Sequence, residues 1–354
     1  TDARKIEAIR SLTRRGYKAL PLKRVNIPKT NGKTRPLGIP TMKDRAMQAL
    51  YLMALEPITE NEADANSYGF RKFRSTADAI DALHRWLSKD CSPEWILEGD
   101  IKGCFDHISH EWLLDNVRID RQILRKWLKS GVVFNKLLQP TIEGTPQGGI
   151  ISPTLANATL DGMERMLKEK YKASCVNGKM YCPKVNLVRY ADDCVIAVGS
   201  SAAANRVMAT VTKWIERKLG LKVNVTKTKV TKPSKLKYLG FGFWKGKDGW
   251  KARPHQDSIK RFERKLKKLT KRSWSVTMDE RIKRLNQVIR GWINYFRMGS
   301  MKENLKRIDG RLRNRMRIVI WKQWKTGKKR FWGLRKLGAP LWMAKQSAGF
   351  ADHY

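Results

Sequence analysis

The sequence has few acidic side chains: its 354 residues include 32 Asp and Glu against 74 Lys and Arg, a formal net charge of +42. This imbalance argues against an ordinary cytosolic small-molecule enzyme and favours a polyanionic partner. Hydrophobic residues still make up 41% of the chain, which excludes a disordered basic tail. We therefore expect two or three packed domains that bind a polyanion.

Cysteine and histidine are also scarce, with five of each. The cysteines are odd in number and form no Cys-x-x-Cys pair, so neither a disulfide framework nor a structural zinc is expected. The histidines are scattered along the chain, and ordinary hydrogen-bonded roles are the default for them. This usage is typical of a protein kept in a reducing compartment.

Long apolar runs are missing, since no stretch approaches the roughly 18 to 20 residues that a membrane span needs. The basic N-terminal segment has no apolar stretch behind it of the kind that a secretory signal requires. The sequence therefore predicts a cytoplasmic protein that does not enter a membrane.

The positive charge is concentrated in the last two fifths of the chain. Residues 1–200 have a net charge of +9, whereas residues 201–354 have a net charge of +33. Acidic lipid is a competing target, but the basic segments also contain Trp and an ordinary core spacing. Nucleic acid is therefore the favoured partner, with an affinity that falls steeply as salt rises.

Two segments place carboxylates where strands end. The period of two in residues 94–106 puts Ile96, Glu98 and Asp100 on one side of a strand. Residues 185–199 are largely apolar, and their only acids, Asp192 and Asp193, lie at a hairpin turn. Turn chemistry alone is one explanation for such acids. Three carboxylates on one sheet would repel each other, however, and a divalent cation such as Mg²⁺ is the natural compensation.

Three loops have compositions suited to phosphate or nucleic acid. Residues 22–39 predict a hairpin with Lys29 and Arg35 near its tip, although a solvated basic turn explains them equally well. Residues 66–76 alternate basic and aromatic side chains, as in loops that pin a nucleic-acid strand. The stretch from Gly144 to Pro153 has glycines that allow a ligand close to the backbone, but it is not a P-loop.

The basic C-terminal part predicts three amphipathic helices that pack as a bundle able to clamp a duplex. The first covers residues 258–272, with a core stripe that includes Ile259, Phe262 and Leu266. The second begins near Asp279, and the third runs from about residue 302 to 325. The core stripe of the second helix is predicted at Ile282, Leu285, Ile289 and Trp292.

Taken in order, these motifs resemble the successive blocks of a bacterial group II intron-encoded reverse transcriptase and maturase. A match to one such block is common by chance, but seven in the right order are not. With the thumb segment added, the resemblance covers nearly the whole chain. The matching segments are Ile27 to Pro36, Ser67 to Arg71, Asp100 to Asp106, Pro146 to Gly149, Tyr190 to Asp193, Asn224 to Lys229, Leu236 to Phe241 and, in the maturase thumb, Arg284 to Phe296.

The resemblance implies a role for particular side chains. Asp100, Asp192 and Asp193 would be catalytic and would bind two Mg²⁺ ions. The dNTP substrate would be met by Lys29, Arg35, Phe105, Gln147 and Lys227, with Phe105 as a steric filter against the ribose 2′-hydroxyl. The expected nucleic-acid contacts are Tyr68, Arg71, Tyr238, Gly240, Lys260, Arg264, Lys267, Lys271 and Arg290.

The fold implied is α+β with a right-hand polymerase architecture: fingers and an antiparallel palm sheet, then an all-α three-helix thumb (domain X). The expected domains are residues 1–245 for fingers and palm, 252–328 for the thumb and 329–354 for the start of a DNA-binding region. No cysteine-rich segment follows, so the HNH endonuclease of some members is expected to be absent, as in group IIC proteins.

The resemblance also implies partners and a reaction. These are the intron RNA, an RNA template with a DNA or RNA primer, and target DNA copied by target-primed synthesis during retrohoming. A homodimer is compatible with the sequence. Two alternatives stay open: a splicing factor in which polymerisation is incidental, and a free-standing reverse transcriptase recruited to defence or repair.

Overall fold

The computed structural model describes residues 2–28, 32, 34–88, 93–176, 179–181, 183–224, 228–247 and 249–350. The chain divides into two compact units, Thr1–Leu236 and Lys237–Tyr354. Among the described residues, no helix has the length and apolar character needed to cross a membrane. The domain limits inferred from the sequence stay predictions.

The first unit combines helices and strands. Its helices are α1 (Asp2–Arg10), α2 (Met42–Glu62), α3 (Thr76–Leu87), α4 (Cys104–His107), α5 (His110–Asn116), α6 (Arg121–Leu128), α7 (Ser152–Leu160), α8 (Met163–Lys170), α9 (Ser201–Leu219) and a 3-10 turn at Pro233–Lys235. Its strands are β1 (Leu22–Pro28), β2 (Thr34–Ile39), β3 (Trp95–Gly99), β4 (Val132–Phe134), β5 (Leu137–Gln139), β6 (Ser174–Val176), β7 (Lys179–Tyr181), β8 (Asn186–Tyr190), β9 (Asp193–Val198) and β10 (Lys229–Thr231).

The predicted basic hairpin forms part of a four-stranded sheet in the order β2-β1-β4-β5. Strands β1 and β2 are antiparallel, in a register that runs from Lys23 opposite Ile39 to Pro28 opposite Thr34. The residues at the tip, 29–31 and 33, lie outside the described residues. The hairpin therefore places Arg35 near the start of β2.

A second four-stranded sheet contains both carboxylate segments, in the antiparallel order β10-β3-β9-β8. Strand β3 pairs with β9 from Trp95 opposite Val198 to Gly99 opposite Cys194. Its strands are rich in Val, Ile and Leu, which suits a sheet covered on both faces. The two segments, almost 100 residues apart in sequence, are therefore neighbours in the fold.

Helices cover this sheet and bury its side chains. Helix α9 contacts β3, β9 and β10, whereas α3 contacts β8 and β9. Ser200 caps the N-terminus of α9, and Gly220 ends it with a left-handed φ of 66°. The sheet is thus held in the main hydrophobic core, and the ends of its strands are fixed in place.

The second unit begins with an antiparallel hairpin, β11 (Phe241–Gly246) and β12 (Gly249–Pro254). In the part of this unit that the structure describes, five helices follow: α10 (Gln256–Leu269), α11 (Met278–Phe296), α12 (Lys302–Gln323), α13 (Gly327–Lys336) and α14 (Leu341–Ala348). Helices α10, α11 and α12 share one core, as the spacing of their apolar residues predicted.

The core of this bundle differs from the prediction at one position. Ile259, Phe262 and Leu266 are buried as expected, and the Trp292 ring stacks on Phe262 at a centroid distance of 4.5 Å. Ile282, however, is 43% exposed, so its assignment to the core stripe was wrong. It belongs to the first turn and a half of α11, where the helical period alone does not show which neighbour covers it.

Candidate active site

The hairpin between β8 and β9 presents Asp192 and Asp193 at its turn. Tyr190 pairs with Asp193, which leaves a two-residue connection of Ala191 and Asp192. Ala191 has a φ of 57°, a left-handed conformation that is uncommon for a residue other than glycine. Asp192 is half-buried and Asp193 is exposed. The turn therefore projects carboxylates at one end of the sheet.

Asp100 reaches the same end of the sheet from the neighbouring strand. It follows Gly99, which pairs with Cys194 one residue beyond Asp193. A Cβ added to Gly99 would lie 2.5 Å from the Cys194 sulfur, so this close approach requires glycine. The Asp100 carbonyl accepts a hydrogen bond of 2.8 Å from the Asn224 amide. The pairing therefore brings all three predicted carboxylates to adjacent strand ends.

Two buried cysteines lie close to these carboxylates. Burial raises the pKa of Cys194 to about 12, and it raises the pKa of Cys104 to about 12 with a further contribution from the Asp192 charge. Both thiols therefore stay protonated at neutral pH, which suits packing rather than metal binding. In the described part of the chain, no three His, Cys, Asp or Glu residues gather closely enough to hold a metal ion together.

The predicted nucleotide-binding loop is held against strand β2. The Arg35 Nε donates a 2.7 Å hydrogen bond to the Gln147 side-chain oxygen. The Gly38 amide donates a 2.8 Å hydrogen bond to the Gln147 carbonyl. A Cβ on Gly148 would lie 2.9 Å from the Gly38 carbonyl oxygen. The structure thus brings together two of the predicted nucleotide contacts, Arg35 and Gln147.

Gln48 of α2 also supports this loop, and it was not among the residues predicted from the sequence. Its side chain is 2% exposed, and its oxygen accepts a 2.9 Å hydrogen bond from the Ile150 amide. A Cβ on Gly149 would lie 3.2 Å from the same oxygen. A single glutamine in a helix gives no signal of this role, because the partner is more than 100 residues away.

Phe105 lies in the short helix α4 and is 7% exposed. Its ring meets the Phe70 ring edge-on at a centroid distance of 6.4 Å. Its carbonyl accepts a 2.7 Å hydrogen bond from the Thr145 amide. Phe105 is therefore fixed between the 66–76 loop and the segment that leads to Gln147. Its role as a sugar filter stays a prediction.

Two of the predicted nucleic-acid contacts in the first unit are internal supports. Tyr68 is 6% exposed, and its amide donates 2.9 Å to the Arg189 carbonyl. Arg71 donates to both Glu60 carboxylate oxygens, at 2.6 and 2.5 Å, and to the Ser67 carbonyl. These two side chains therefore have little exposed surface with which to contact a nucleic acid. The exposed side chains of the loop are instead those of Phe70, Lys72, Phe73 and Ser75.

Gly240 belongs to a well-supported turn at the start of the second unit. Its carbonyl accepts hydrogen bonds of 2.9 Å from the His255 amide and the Ser258 hydroxyl. The Tyr295 hydroxyl donates 2.9 Å to the carbonyl of Leu239, which has a φ of 49°. Tyr238 itself is 4% exposed, so the turn presents its backbone rather than the tyrosine ring.

Helix α10 has basic side chains on two faces that border different grooves. One groove of about 730 Å³ adjoins the Tyr238–Gly240 turn and includes Arg261 and Lys265 with the rings of Phe262 and Trp292. A second groove, of about 710 Å³, lies between α10 and α12 and is lined mainly by apolar and basic side chains, with Glu263 as an acidic one. The basic ones are Lys260, Arg264, Lys267, Arg311 and Arg315.

Only one of these faces was predicted from the sequence. The predicted residues Lys260, Arg264 and Lys267 line the groove beside α12. Arg261 and Lys265, which were not predicted, line the groove beside the turn. Lys271 and Arg290 are exposed. Lys29 and Lys227 lie outside the described residues.

Comparison with known families accounts for this arrangement. Residues 27–243 match the family described as reverse transcriptase (RNA-dependent DNA polymerase). The chain belongs to the reverse transcriptase family. Residues 259–338 match the group II intron maturase-specific domain. The predicted kinship with bacterial group II intron-encoded reverse transcriptases and maturases is confirmed.

Individual relatives agree with this assignment. The chain is 37% identical over 246 residues to protein YkfC of Escherichia coli K12, covering 60% of this chain and 64% of YkfC. It is 40% identical over 166 residues to the group II intron-encoded protein LtrA of Lactococcus lactis subsp. cremoris, covering 45% of this chain and 27% of LtrA. The chain thus matches less than two thirds of the length of each relative.

Solved structures show the same fold. Telomerase from Candida albicans, determined in complex with a telomeric RNA fragment, aligns with a TM-score of 0.50 at 14% identity. The alignment covers 93% of this chain and 64% of that chain. The predicted α+β polymerase fold, with an antiparallel sheet followed by helices, is confirmed.

Proposed function

We propose that the chain is an RNA-directed DNA polymerase that uses divalent metal ions, specifically two Mg²⁺, and dNTPs at the end of the β3 and β9 strands. The observation that carries this proposal is the pairing of Gly99 with Cys194, which sets Asp100 beside the turn that holds Asp192. Membership of the reverse transcriptase family supports it.

The donor set fits Mg²⁺, which takes a few carboxylates and keeps waters and substrate phosphates in place of a closed protein cage. Asp100 and Asp192 would hold the ions, with Asp193 as a peripheral carboxylate. When bound, the ions would supply activation of the primer 3′-hydroxyl and charge neutralisation at the reacting phosphates.

The chain's own residues would orient the substrates. Arg35 presents a planar guanidinium suited to a triphosphate, and Gln147 lies against it, so both can meet an incoming dNTP. Phe105 would lie beneath the sugar. The Tyr238–Gly240 turn and the groove lined by Arg261 and Lys265 would support the primer end of the template duplex.

Primer extension on an RNA template tests the polymerase. Asp192→Asn should abolish dNTP incorporation, because the amide no longer supplies a charged oxygen ligand. Asp81→Asn, which removes an exposed carboxylate paired with Arg85 on α3, is the matched control and should retain synthesis. Synthesis by Asp192→Asn at the wild-type rate would rule out the proposed site.

We also propose that the second unit binds the parent intron RNA, assists its splicing and supports retrohoming into target DNA, with the protein acting in the cytoplasm. The match to the maturase-specific domain and the basic face of α10 that borders α12 support this proposal. Splicing of the parent intron at limiting Mg²⁺ is the test. Asp192→Asn should leave splicing intact, whereas neutralising Lys260, Arg264 and Lys267 should reduce it. The opposite pattern would contradict the proposal.

A further inference from the structure

The turn that presents Asp192 contains a strained residue. Ala191 adopts a φ of 57° although it has a Cβ, and single left-handed residues of this kind persist only where their surroundings hold them. Ala191 is 8% exposed, so protein groups rather than water surround it. The groups that hold Ala191 in this conformation therefore also fix the direction of the adjacent Asp192 carboxylate.

Arg189 provides the support from within the same hairpin. Its side chain is 1% exposed, and its Nη1 donates 3.3 Å hydrogen bonds to the Ala191 carbonyl and to the Asn157 side-chain oxygen. Its Nη2 donates to an Asp161 carboxylate oxygen. The guanidinium therefore links the strained residue of the turn to helix α7 and to the residue that follows it.

The groups that bind this guanidinium also connect it to other parts of the candidate site. Helix α7 begins at Ser152, shortly after Gln147, and contains Asn157. The Asn157 amide group also donates 2.7 Å to the Gly69 carbonyl. A Cβ on Gly69 would meet the Ala191 backbone, with the Tyr190 carbonyl carbon 2.9 Å away. The turn is thus enclosed by the 66–76 loop on one side and by Arg189 on the other.

Arg189 is not placed for maximum stability. Its Nε is buried with no hydrogen-bond partner among the described residues. A buried donor left unpaired costs stability. The fork of Nη1 and Nη2 instead joins three separate groups at fixed angles, which a flexible ammonium cannot reproduce.

We propose that Arg189 is a positioning residue for nucleotide transfer: by holding the Ala191 carbonyl, it fixes the left-handed turn that aims the Asp192 carboxylate. This inference rests on the proposed catalytic role of Asp192. Arg189 touches neither substrate nor metal in this scheme and acts through the backbone of the turn.

Steady-state primer extension with Arg189→Lys tests the proposal. The lysine keeps the charge but not the fork, so kcat should fall by roughly tenfold or more, because small misplacements of a reacting group are costly. The KM for dNTP should change by less than about twofold, since the contacts to the nucleotide come from other elements. Rates are normalised to active enzyme by burst titration.

A second substitution, at the turn itself, distinguishes a positioning role of Arg189 from a general effect on stability. Glycine adopts a positive φ without strain. In the Arg189→Lys background, Ala191→Gly should therefore restore kcat several-fold by relieving the need for the guanidinium. A normalised kcat equal to wild type, a loss confined to KM, or no rescue by glycine would each overturn the proposal.

Arg281 is a matched control in the second unit. It is also 1% exposed and donates to the Leu269, Lys271 and Trp274 carbonyls. Its Nε has no hydrogen-bond partner within the part of the chain that the structure describes. Arg281→Lys should lower the melting temperature without changing kcat per active enzyme. An equal loss of kcat in both variants would show a general effect of removing a buried guanidinium.

Two further variants complete the test. If Arg189→Lys does not fold, Asp161→Asn keeps an oxygen acceptor for Nη2 but removes the charge that fixes the guanidinium. It should lower kcat in a way that Ala191→Gly restores, and a wild-type kcat would contradict the proposal. If Asp192→Asn retains synthesis, the proposed function fails. If it abolishes synthesis while Arg189→Lys is fully active, only the positioning role fails.

Discussion

Arg35 and Gln147, 112 residues apart in sequence, are joined by a 2.7 Å hydrogen bond from the arginine Nε to the glutamine oxygen. The bond leaves the terminal nitrogens of the guanidinium outside this contact while it holds the glutamine in one orientation. The predicted triphosphate contact and the predicted nucleotide contact therefore form one unit, and each depends on the other.

Replacing Arg35 by lysine should weaken dNTP binding. Lysine loses both the bond to Gln147 and the planar fork, and a charge-assisted hydrogen bond contributes about 1.5 to 3 kcal/mol, so the KM for dNTP should rise roughly tenfold or more. Primer extension at varied dNTP concentration measures this. Lys23→Ala, an exposed change on β1, is the control. An unchanged KM would remove Arg35 from the nucleotide site.

Shortening Phe105 should admit ribonucleotides. Phe105→Ala removes the ring that lies against Phe70, so the ratio of rNTP to dNTP incorporation should increase. The change also costs about 3 to 5 kcal/mol of stability, because it empties a buried position. Phe243→Ala, at 1% exposure in β11, controls for that loss. Unchanged selectivity would assign Phe105 to packing alone.

The two basic faces of α10 should bind different nucleic acids. Neutralising Arg261 and Lys265 should weaken template–primer binding and make the salt slope shallower by about 0.9 for each phosphate that is no longer neutralised. Neutralising Lys260, Arg264 and Lys267 should weaken intron RNA binding instead. Fluorescence anisotropy across a salt series measures both ligands with both variants. Equal effects on the two ligands would show that the faces are not distinct.

Any side chain at Gly69 should disturb the packing of the 66–76 loop against the turn at Ala191. Gly69→Ala places a methyl group against the Ala191 backbone, which must shift, so synthesis should fall sharply while the second unit keeps its RNA affinity. Gly310→Ala is the control, since Gly310 lies within α12 with open space around it. That change should stabilise the helix by about 0.5 to 1 kcal/mol. Full activity of Gly69→Ala would contradict the close packing of the loop on the turn.

Stability should depend on pH through Glu60. The hydrogen bond from Arg71 lowers the pKa of Glu60, with Arg74 adding to the shift. A carboxyl group whose pKa is lower in the folded state stabilises above its unfolded pKa of about 4.3, and this contribution is lost as the pH falls below that value. Thermal melts of the wild type and Glu60→Gln should therefore differ most near neutral pH and converge in acid. Glu7→Gln, an exposed substitution in α1, is the matched control.

Local pattern was enough to find the carboxylates and the thumb core. The period of two places Asp100 at a strand end, an apolar stretch interrupted by Asp192 and Asp193 predicts a hairpin, and helical spacing gives Phe262 its buried position. These features depend on residues close in sequence. The same reasoning failed for Ile282, whose exposure depends on which helix lies beside it.

The sequence by itself determined the family, the predicted carboxylates and the position of the positive charge, because ordered motifs and local periodicity encode them. Only the tertiary structure decided that Gln48 supports the nucleotide loop, that Arg71 is committed to Glu60 and that Arg189 holds the turn before Asp192. The physical reason is that each of these roles depends on a hydrogen bond to a group that is distant in sequence or hidden in a turn. Burial then determines whether a charged side chain meets a ligand or the protein itself.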